Sequence, residues 1–281
     1  MLKLLVAAAC LAGALALPAR AADPIGMVLD LQGPAQVTQD GATGKLQLLA
    51  NVTPQMRIEL PAGSKASLTL YATRSVYRLT GPTLVETARD SVKVLRGQPP
   101  EIKSMGEKLV PTAQSGTLIA GAYRMRSLRI APPVVLTSPE NGSVLLNTRP
   151  SFSWEAAGAG PYTLVLRAES GGLSYNARVE GRSWSLPEGI QLEYGKTYDW
   201  KVSYPAANGE THAAEGKFSL ATRADAEQFA AMRPADTDPI EDWVFYAVML
   251  RQHQVREEAR SVWKRIGTRR PDLERAADQA K

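Results

Sequence analysis

Tyr198-Asp199-Trp200-Lys201-Val202 alternates apolar and charged side chains within a chain of 281 residues. Such a period of two is the pattern of a β-strand with one buried and one exposed face. Ser151-Phe152-Ser153-Trp154 and Tyr162-Thr163-Leu164-Val165-Leu166 come before it, and Gly216-Lys217-Phe218-Ser219-Leu220 comes after it. Strands that recur every eight to twelve residues over about 90 residues predict a β-sandwich, here over residues 131–221.

The aromatic residues of this segment make the prediction more specific. Trp154 and Trp200 occupy alternating strand positions, and Leu192 lies six residues before Tyr198. The segment resembles a fibronectin type III or related immunoglobulin-like domain. That resemblance implies a corner tyrosine at Tyr198, with its hydroxyl bonded back to the backbone. It also implies that Trp154 and Trp200 belong to the core.

Trp184, in Gly181-Arg182-Ser183-Trp184-Ser185, is the tryptophan of this segment whose place the pattern does not fix. An alternative interpretation is that Trp154, Trp184 and Trp200 form an exposed aromatic platform for sugars. Trp184 is therefore a candidate binding residue for a glycan or peptidoglycan.

Residues 22–130 show short apolar alternations between turns that contain Gly, Pro or Asp, which predicts antiparallel strands. The order of features resembles the periplasmic domain of FecR-like proteins. These features are Val28, Gly33 and Val37, Leu46-Gln47-Leu48-Leu49, Ile58, Gly63-Ser64-Lys65-Ala66-Ser67-Leu68-Thr69-Leu70 and Arg78-Leu79-Thr80-Gly81-Pro82-Thr83-Leu84. Gln55-Met56 and Tyr71-Ala72-Thr73-Arg74 depart from the family, which has glycine-containing turns there. The resemblance implies protein contact or envelope sensing.

Residues 222–281 change to a helical period. Asp238-Pro239-Ile240-Glu241 combines a capping residue, a proline and an acid, which together indicate a helix start, and Gly267 predicts the end of the next helix. The spacing resembles a single tetratricopeptide repeat, carried by Trp243, Tyr246, Ala247, Leu250, Ala259, Trp263 and Pro271. Ile266 stands where that repeat has a small residue. A third helix is predicted from Pro271 to about residue 280.

A lone helical hairpin cannot bury its own core, because stacked repeats need about three copies to do so. We expect cover from a short helix at residues 224–232, the chain end, the sandwich or a partner. Basic residues recur along the hairpin. Arg256, Arg260 and Lys264 form a candidate binding surface for an anionic partner or a membrane surface. The alternative is an ordinary solvated face.

Residues 1–21 carry the three parts of a secretory signal peptide: Lys3, the apolar run 4–17 and the small residues of Ala19-Arg20-Ala21. We expect cleavage near Ala21 and a periplasmic or secreted protein without a transmembrane anchor. Lipid attachment at Cys10 and an uncleaved anchor are the alternatives. Cleavage would remove the chain's single cysteine, so a disulfide is not expected.

The composition argues against several function classes. The mature chain would carry 31 basic residues after loss of Lys3 and Arg20, against 28 acidic ones, a balance that does not favour nucleic acid. His212 and His253, predicted in solvated loops, are too few for a zinc site or a convincing catalytic triad. Neither a catalytic residue nor a cofactor or metal is expected.

The sequence as a whole predicts a mainly β, multidomain protein, with a signal peptide at 1–21, a FecR-like domain at 22–130, a sandwich at 131–221 and a helical hairpin at 222–281. The expected function is a non-enzymatic module for protein interaction or envelope sensing in the bacterial periplasm, with an envelope protein as partner. A glycan- or peptidoglycan-binding protein is the first alternative. An envelope hydrolase with paired carboxylates, such as Glu169 and Glu180, is the second.

Overall fold

The computed structural model describes residues 23–104, 133–207, 209–273 and 275. The predicted signal peptide, the last part of the predicted FecR-like domain at 22–130 and most of the predicted third helix lie outside these residues. Within them the protein is mainly β and multidomain, with short helices near its C-terminal end, as the sequence predicts.

Residues 23–104 form two five-stranded antiparallel sheets. Their strands are β1 Gly26–Gln32, β2 Gln36–Gln39, β3 Ala42–Lys45, β4 Asn51–Val52, β5 Arg57–Leu60, β6 Lys65–Leu70, β7 Ser75–Thr80, β8 Thr83–Thr87, β9 Val92–Arg96 and β10 Glu101–Ser104. The first sheet has the order β10-β7-β6-β1-β4 and the second β3-β2-β5-β8-β9. Val28 and Leu68 from the first sheet share a core with Ile58 and Val85 from the second.

Residues 133–220 form a β-sandwich. Its strands are β11 Val134–Ser138, β12 Ser143–Leu145, β13 Ser151–Ala156, β14 Tyr162–Ala168, β15 Ser174–Val179, β16 Ser183–Ser185, β17 Thr197–Pro205 and β18 Thr211–Leu220. A three-stranded sheet, β11-β13-β16, faces a five-stranded sheet, β12-β18-β17-β14-β15, in which β12 runs parallel to β18. Phe152, Trp154 and Trp200 are buried between the sheets. The core positions predicted for Trp154 and Trp200 are confirmed.

The corner tyrosine predicted at Tyr198 is also present. The backbone N–H of Glu193 donates to the Tyr198 hydroxyl at 2.8 Å, while the ring itself is buried. This bond ties the β17 strand to the chain that leads into it, as in fibronectin type III and immunoglobulin-like sandwiches. The domain is therefore a sandwich of that general type.

Three helices follow: α1 Arg223–Met232, α2 Ile240–Gln252 and α3 Arg256–Arg269. The predicted cap of α2 is wrong in detail. The Asp238 carboxylate accepts from the N–H of Ala235 at 2.8 Å, and the helix begins after Pro239 without a side-chain cap. Gly267 does not end α3, which continues to Arg269.

The helices pack on the N-terminal domain as well as on each other. Leu29 of β1 and Val76 of β7 share one core with Trp243 and Trp263, and Val144 of β12 packs against the same core. The sequence pointed to a short helix at residues 224–232, the chain end, the sandwich or a partner as cover for the hairpin, and Phe229 and Leu273 do lie in this core. The sequence did not indicate the outer face of the first sheet, which adds Leu29 and Val76 to the cover.

Ion pairs border this contact. Arg78 Nε donates to Glu241 at 2.6 Å, and Lys103 donates to Asp242 at 2.6 Å. Arg270 bonds Asp30 at 2.7 Å, and that carboxylate is almost fully buried. The Glu241 and Asp30 carboxylates are buried, so each depends on its arginine for charge compensation. We call these three pairs, with the core between them, the helix seam.

Candidate interaction surface

The three basic residues predicted as a binding surface all lie on α3, but two of them have partners inside the molecule. Arg256 donates to the Gln254 side chain at 2.6 Å and to the carbonyl of Asn141 at 3.3 Å. Arg260 forms an ion pair with Glu140. These contacts join α3 to the β11–β12 loop of the sandwich. Lys264 is exposed, and no ion pair is seen for it in the part of the chain that the structure describes.

Trp184, the fourth predicted site residue, lies in β16 and is half-buried. Its ring centroid is 5.3 Å from that of Phe152 and 5.3 Å from that of Tyr175. The ring therefore closes the side of the sandwich between β15 and β16. Trp184 packs against the sandwich core, whereas the basic residues belong to the helical unit, so the structure does not combine them into one site.

A different surface has the geometry of a site: the outer face of the five-stranded sheet. Strand alternation turns Trp200 and Val202 inward and Asp199 and Lys201 outward along β17. Cross-strand pairing then sets Asp199 between Arg167 and Lys217, and Lys201 between Val165 and Glu215. We call this surface, formed by Val165, Arg167, Asp199, Lys201, Glu215 and Lys217, the sandwich face.

The sandwich face contains a groove of about 460 Å³. It is lined by the six residues of the face together with Asn141, Trp200 and Gly216. A volume of this size lies in the range of ligand-binding clefts, which is roughly 300 to 1,000 Å³. However, the lining is mostly charged and open to solvent. A peptide or a protein surface suits it better than a small apolar ligand.

Charges of both signs alternate across the groove. Lys201 donates to Glu215 at 2.6 Å, and Lys217 lies 2.9 Å from Glu169 and 3.6 Å from Asp199. The hydrogen bond and charge of Lys201 lower the pKa of Glu215, and the hydrogen bond to Glu169 and nearby acidic charge raise the pKa of Lys217. These groups are exposed, so solvent screens the ion pairs and each pair is weak. A binding partner can therefore replace them with ion pairs of its own.

Arg167 stands apart on this surface. It is exposed on β14, directly opposite Asp199 on β17 and Ser174 on β15. Among the described residues, no ion pair is formed by its guanidinium. Arg167 is therefore available for an ion pair, beside a row of charges that are already paired. A carboxylate of a partner can bind its guanidinium.

The geometry gives no support to the paired-carboxylate chemistry. Val179 pairs with Tyr162 at one end of the β14–β15 ladder, so Glu180 lies at that end, whereas Glu169 follows the other end of β14. Continuing the register puts Glu180 opposite Pro161. The eight steps from Pro161 to Glu169 span about 26 Å at about 3.3 Å per residue, well beyond the roughly 5 to 10 Å that glycoside hydrolysis needs. Each carboxylate is exposed and paired with a basic side chain.

The histidines are likewise unconnected to a reactive group. His212 lies within β18, not in a loop as predicted, with its ring 5.5 Å from that of Tyr204. His253 caps the C-terminal end of α2 and contacts Phe229 edge-on. Within the described ranges, no group of three or more His, Cys, Asp or Glu residues is close enough to hold a metal ion.

The sandwich face was missed at the level of sequence because its residues come from three strands, of which β14 is far in the chain from the β17–β18 hairpin. The signal was partly present: the inward positions Trp200 and Val202 imply that Asp199 and Lys201 point outward. Glu215-Gly216-Lys217-Phe218 carries the same alternation. What the sequence lacks is the register that puts Glu215 beside Lys201.

Comparison with protein-family models and with curated proteins gives no match. Among solved structures, CopC from Methylosinus trichosporium OB3b is 15% identical, with a TM-score of 0.26 over 32% of this chain and 95% of that chain. An Fn3-like protein from Clostridium thermocellum is 22% identical, with a TM-score of 0.22 over 28% of this chain and 86% of that one.

The fn3 domain of the human collagen alpha-1(XX) chain is 18% identical, with a TM-score of 0.25 over 41% of this chain and 95% of that chain. Similarity at this level carries no inference about what this chain binds. The described helices include none that is long and apolar enough to cross a membrane.

Proposed function

We propose that this chain is an exported, non-catalytic protein-binding module of the bacterial periplasm, and that the sandwich face is its binding surface. The observation that carries the proposal is the groove of about 460 Å³ on that face, lined by exposed charges of both signs around Arg167. Binding sites of this kind take a partner with a complementary charge pattern.

The helical unit is a less suitable binding surface than the sandwich face, because its apolar faces and two of its arginines already make contacts within the molecule. Its apolar faces pack on Leu29 and Val76, and Arg256 and Arg260 contact the sandwich loop. Its role in the proposal is to hold the N-terminal domain and the sandwich together. The sandwich face is then presented on a rigid support, which lowers the entropy lost on binding.

The export step of the proposal rests on the signal peptide predicted at residues 1–21. The FecR-like resemblance of residues 22–130 adds envelope sensing as the setting, with an envelope protein as the partner. The glycan-binding alternative depends on Trp184, whose ring contacts Phe152 and Tyr175, so less of the ring is open for sugar stacking. This geometry favours a protein partner.

The experiment is site-specific photo-crosslinking in periplasm-competent cells. A photoreactive phenylalanine analogue replaces Val165 in the groove, and the matched control places it at the exposed Lys45 of β3. We expect a discrete protein adduct at Val165 only, reduced by the Arg167→Glu substitution. Equal adducts at both positions, no adduct at all, or specific retention on purified peptidoglycan that Trp184→Ala abolishes would overturn the proposal.

A further inference from the structure

Strand β15 is the longest uninterrupted free edge in the described part of the chain. It has six residues, ends the five-stranded sheet of the sandwich, and pairs with β14 without a register shift. The other terminal strands have two to five residues, and the five-residue ones, β9 and β11, carry register shifts. Short strands and bulges are the usual protection of a sheet edge against further pairing, and β15 has neither.

The ladder identifies which backbone groups of β15 are unpaired. The N–H of Ala168 donates to the carbonyl of Leu173 at 3.0 Å, so this pair is hydrogen-bonded toward β15. Hydrogen-bonded pairs alternate along an antiparallel ladder. Tyr175 and Ala177 therefore bond to β14, while the N–H and C=O groups of Ser174, Asn176 and Arg178 point away from the sheet.

The sequence of this edge is complementary to itself. In a two-fold pairing centred on Asn176, that residue faces its own copy, and Ser174 faces Arg178 of the second chain. On the opposite face, Tyr175 lies across from Ala177, so a large side chain meets a small one. No like charges oppose each other directly, and three hydrogen-bonded pairs supply about six backbone bonds.

We propose that β15 is a self-association interface, at which a second copy of this chain pairs antiparallel to form one continuous sheet through both sandwiches. The half-exposed pair of Tyr175 and Trp184 lies beside this edge and adds apolar surface to the contact. One strand pair buries little area compared with a permanent dimer, so the association is weak and depends on concentration.

The first test measures mass in solution over a concentration series by light scattering or sedimentation. Asn176→Pro removes an outward N–H and places a ring against the incoming strand, but it breaks no bond of the β14 ladder. We expect the dimer dissociation constant to rise about tenfold or more, while the matched Asn176→Ala variant, which keeps the N–H, dimerises like the parent. Circular dichroism verifies that both variants are folded.

The second test works even if Asn176→Pro fails to fold. In a Cys10→Ala background the chain has no cysteine. Asn176→Cys then puts two Cα atoms about 5.5 Å apart across the two-fold axis, which suits a disulfide, whereas Ser174→Cys places its two copies about 13 Å apart along the strand. We expect a disulfide dimer under mild oxidation with Asn176→Cys and not with Ser174→Cys.

Three results would overturn the proposal: a parent chain that stays monomeric with no disulfide at Asn176→Cys, a dimer that persists in folded Asn176→Pro, or equal crosslinking at both cysteine positions. Val165 is the cross-strand neighbour of Asn176, so the mass of the photo-adduct separates the two proposals. An adduct with a second copy of this chain reports self-association at β15, whereas an adduct with a different protein reports the partner of the sandwich face.

Discussion

At the scale of single residues, one extra residue in β1 explains how the first sheet serves two cores. The pairing with β6 shifts between Val28 and Asp30, so Leu29 has no partner in the register. Val28 and Leu31 consequently face the core between the sheets, while Leu29 and Asp30 both face the helices. A bulge of this kind redirects side chains without ending the strand. It delivers an apolar and an acidic residue to the helix seam.

Asp30 and Arg270 give the residue-scale prediction. The hydrogen bond to Asp272 and the charge of Asp30 outweigh burial and raise the pKa of Arg270. Arg270→Ala leaves the buried Asp30 carboxylate without its cation, so we expect the free energy of unfolding to fall by about 3 kcal/mol, the low end for a buried pair because Arg270 is partly exposed. Urea denaturation followed by far-ultraviolet circular dichroism measures it.

The matched control is Arg57→Ala, which removes an arginine from a pair with Glu86 whose Arg57 side chain is 59% exposed. Exposed pairs contribute roughly 0 to 1 kcal/mol, so a small change is expected there. Equal losses in the two variants would show that the buried position of Asp30 has no special effect.

At the scale of elements, α3 meets the sandwich through a carboxylate. The Ser138 hydroxyl donates to Glu257 at 2.8 Å, and the N–H of Glu140 donates to the same oxygen at 3.2 Å. Burial raises the pKa of Glu257, the Ser138 hydrogen bond opposes this rise, and the charge of Glu258 adds to it. The α3 contact therefore contains a carboxylate whose charged form is disfavoured by folding.

The sign of the pH effect follows from that shift. Between the ordinary pKa of glutamate and the raised one, the folded chain binds more protons than the unfolded chain, so its stability rises as pH falls. We expect the parent chain to gain stability relative to Glu257→Gln when the pH goes from 7 to 4. Thermal unfolding at the two pH values measures the difference.

Glu215→Gln provides the opposing control. Lys201 lowers the pKa of Glu215, so stability from that pair is present above the ordinary pKa and is lost as pH falls. The parent chain should lose stability relative to Glu215→Gln over the same range, weakly and less in high salt. The same sign for both variants would contradict the assignment.

Elements were predicted well wherever one face of a strand or helix is buried. Tyr198, Trp200 and Val202 define β17 by alternation, and Trp243 with Trp263 marks the helical period. The sequence could not indicate that both faces of β1 are buried, because the bulge at Leu29 breaks the alternation. It also could not indicate that Arg256 and Arg260 bond within the molecule, since a basic side chain has the same local pattern in either case. Family resemblance to FecR and to tetratricopeptide repeats stays a prediction.

At the scale of the whole molecule, the helical unit connects two β domains that otherwise have separate cores. Its core takes Leu29 and Val76 from the N-terminal domain and Val144 from the sandwich. The N–H of Val144 also donates to the carbonyl of Gln254 at 2.9 Å. A substitution that weakens the helical core should therefore lower the stability of the contacts that both domains make with it.

Trp263→Ala tests this connection. Removing a buried tryptophan costs about 3 to 5 kcal/mol, and the loss falls on a core shared by all three units. We expect faster amide hydrogen exchange in the helices, in β1 and in β12 together, because local opening of the helical core releases both contacts. Tyr162→Ala, in the separate sandwich core, should speed exchange in β14 and β17 while leaving β1 protected. If the effect of Trp263→Ala stayed within α2 and α3, the helices would be an appendage rather than the connector that holds the sandwich face in a fixed place.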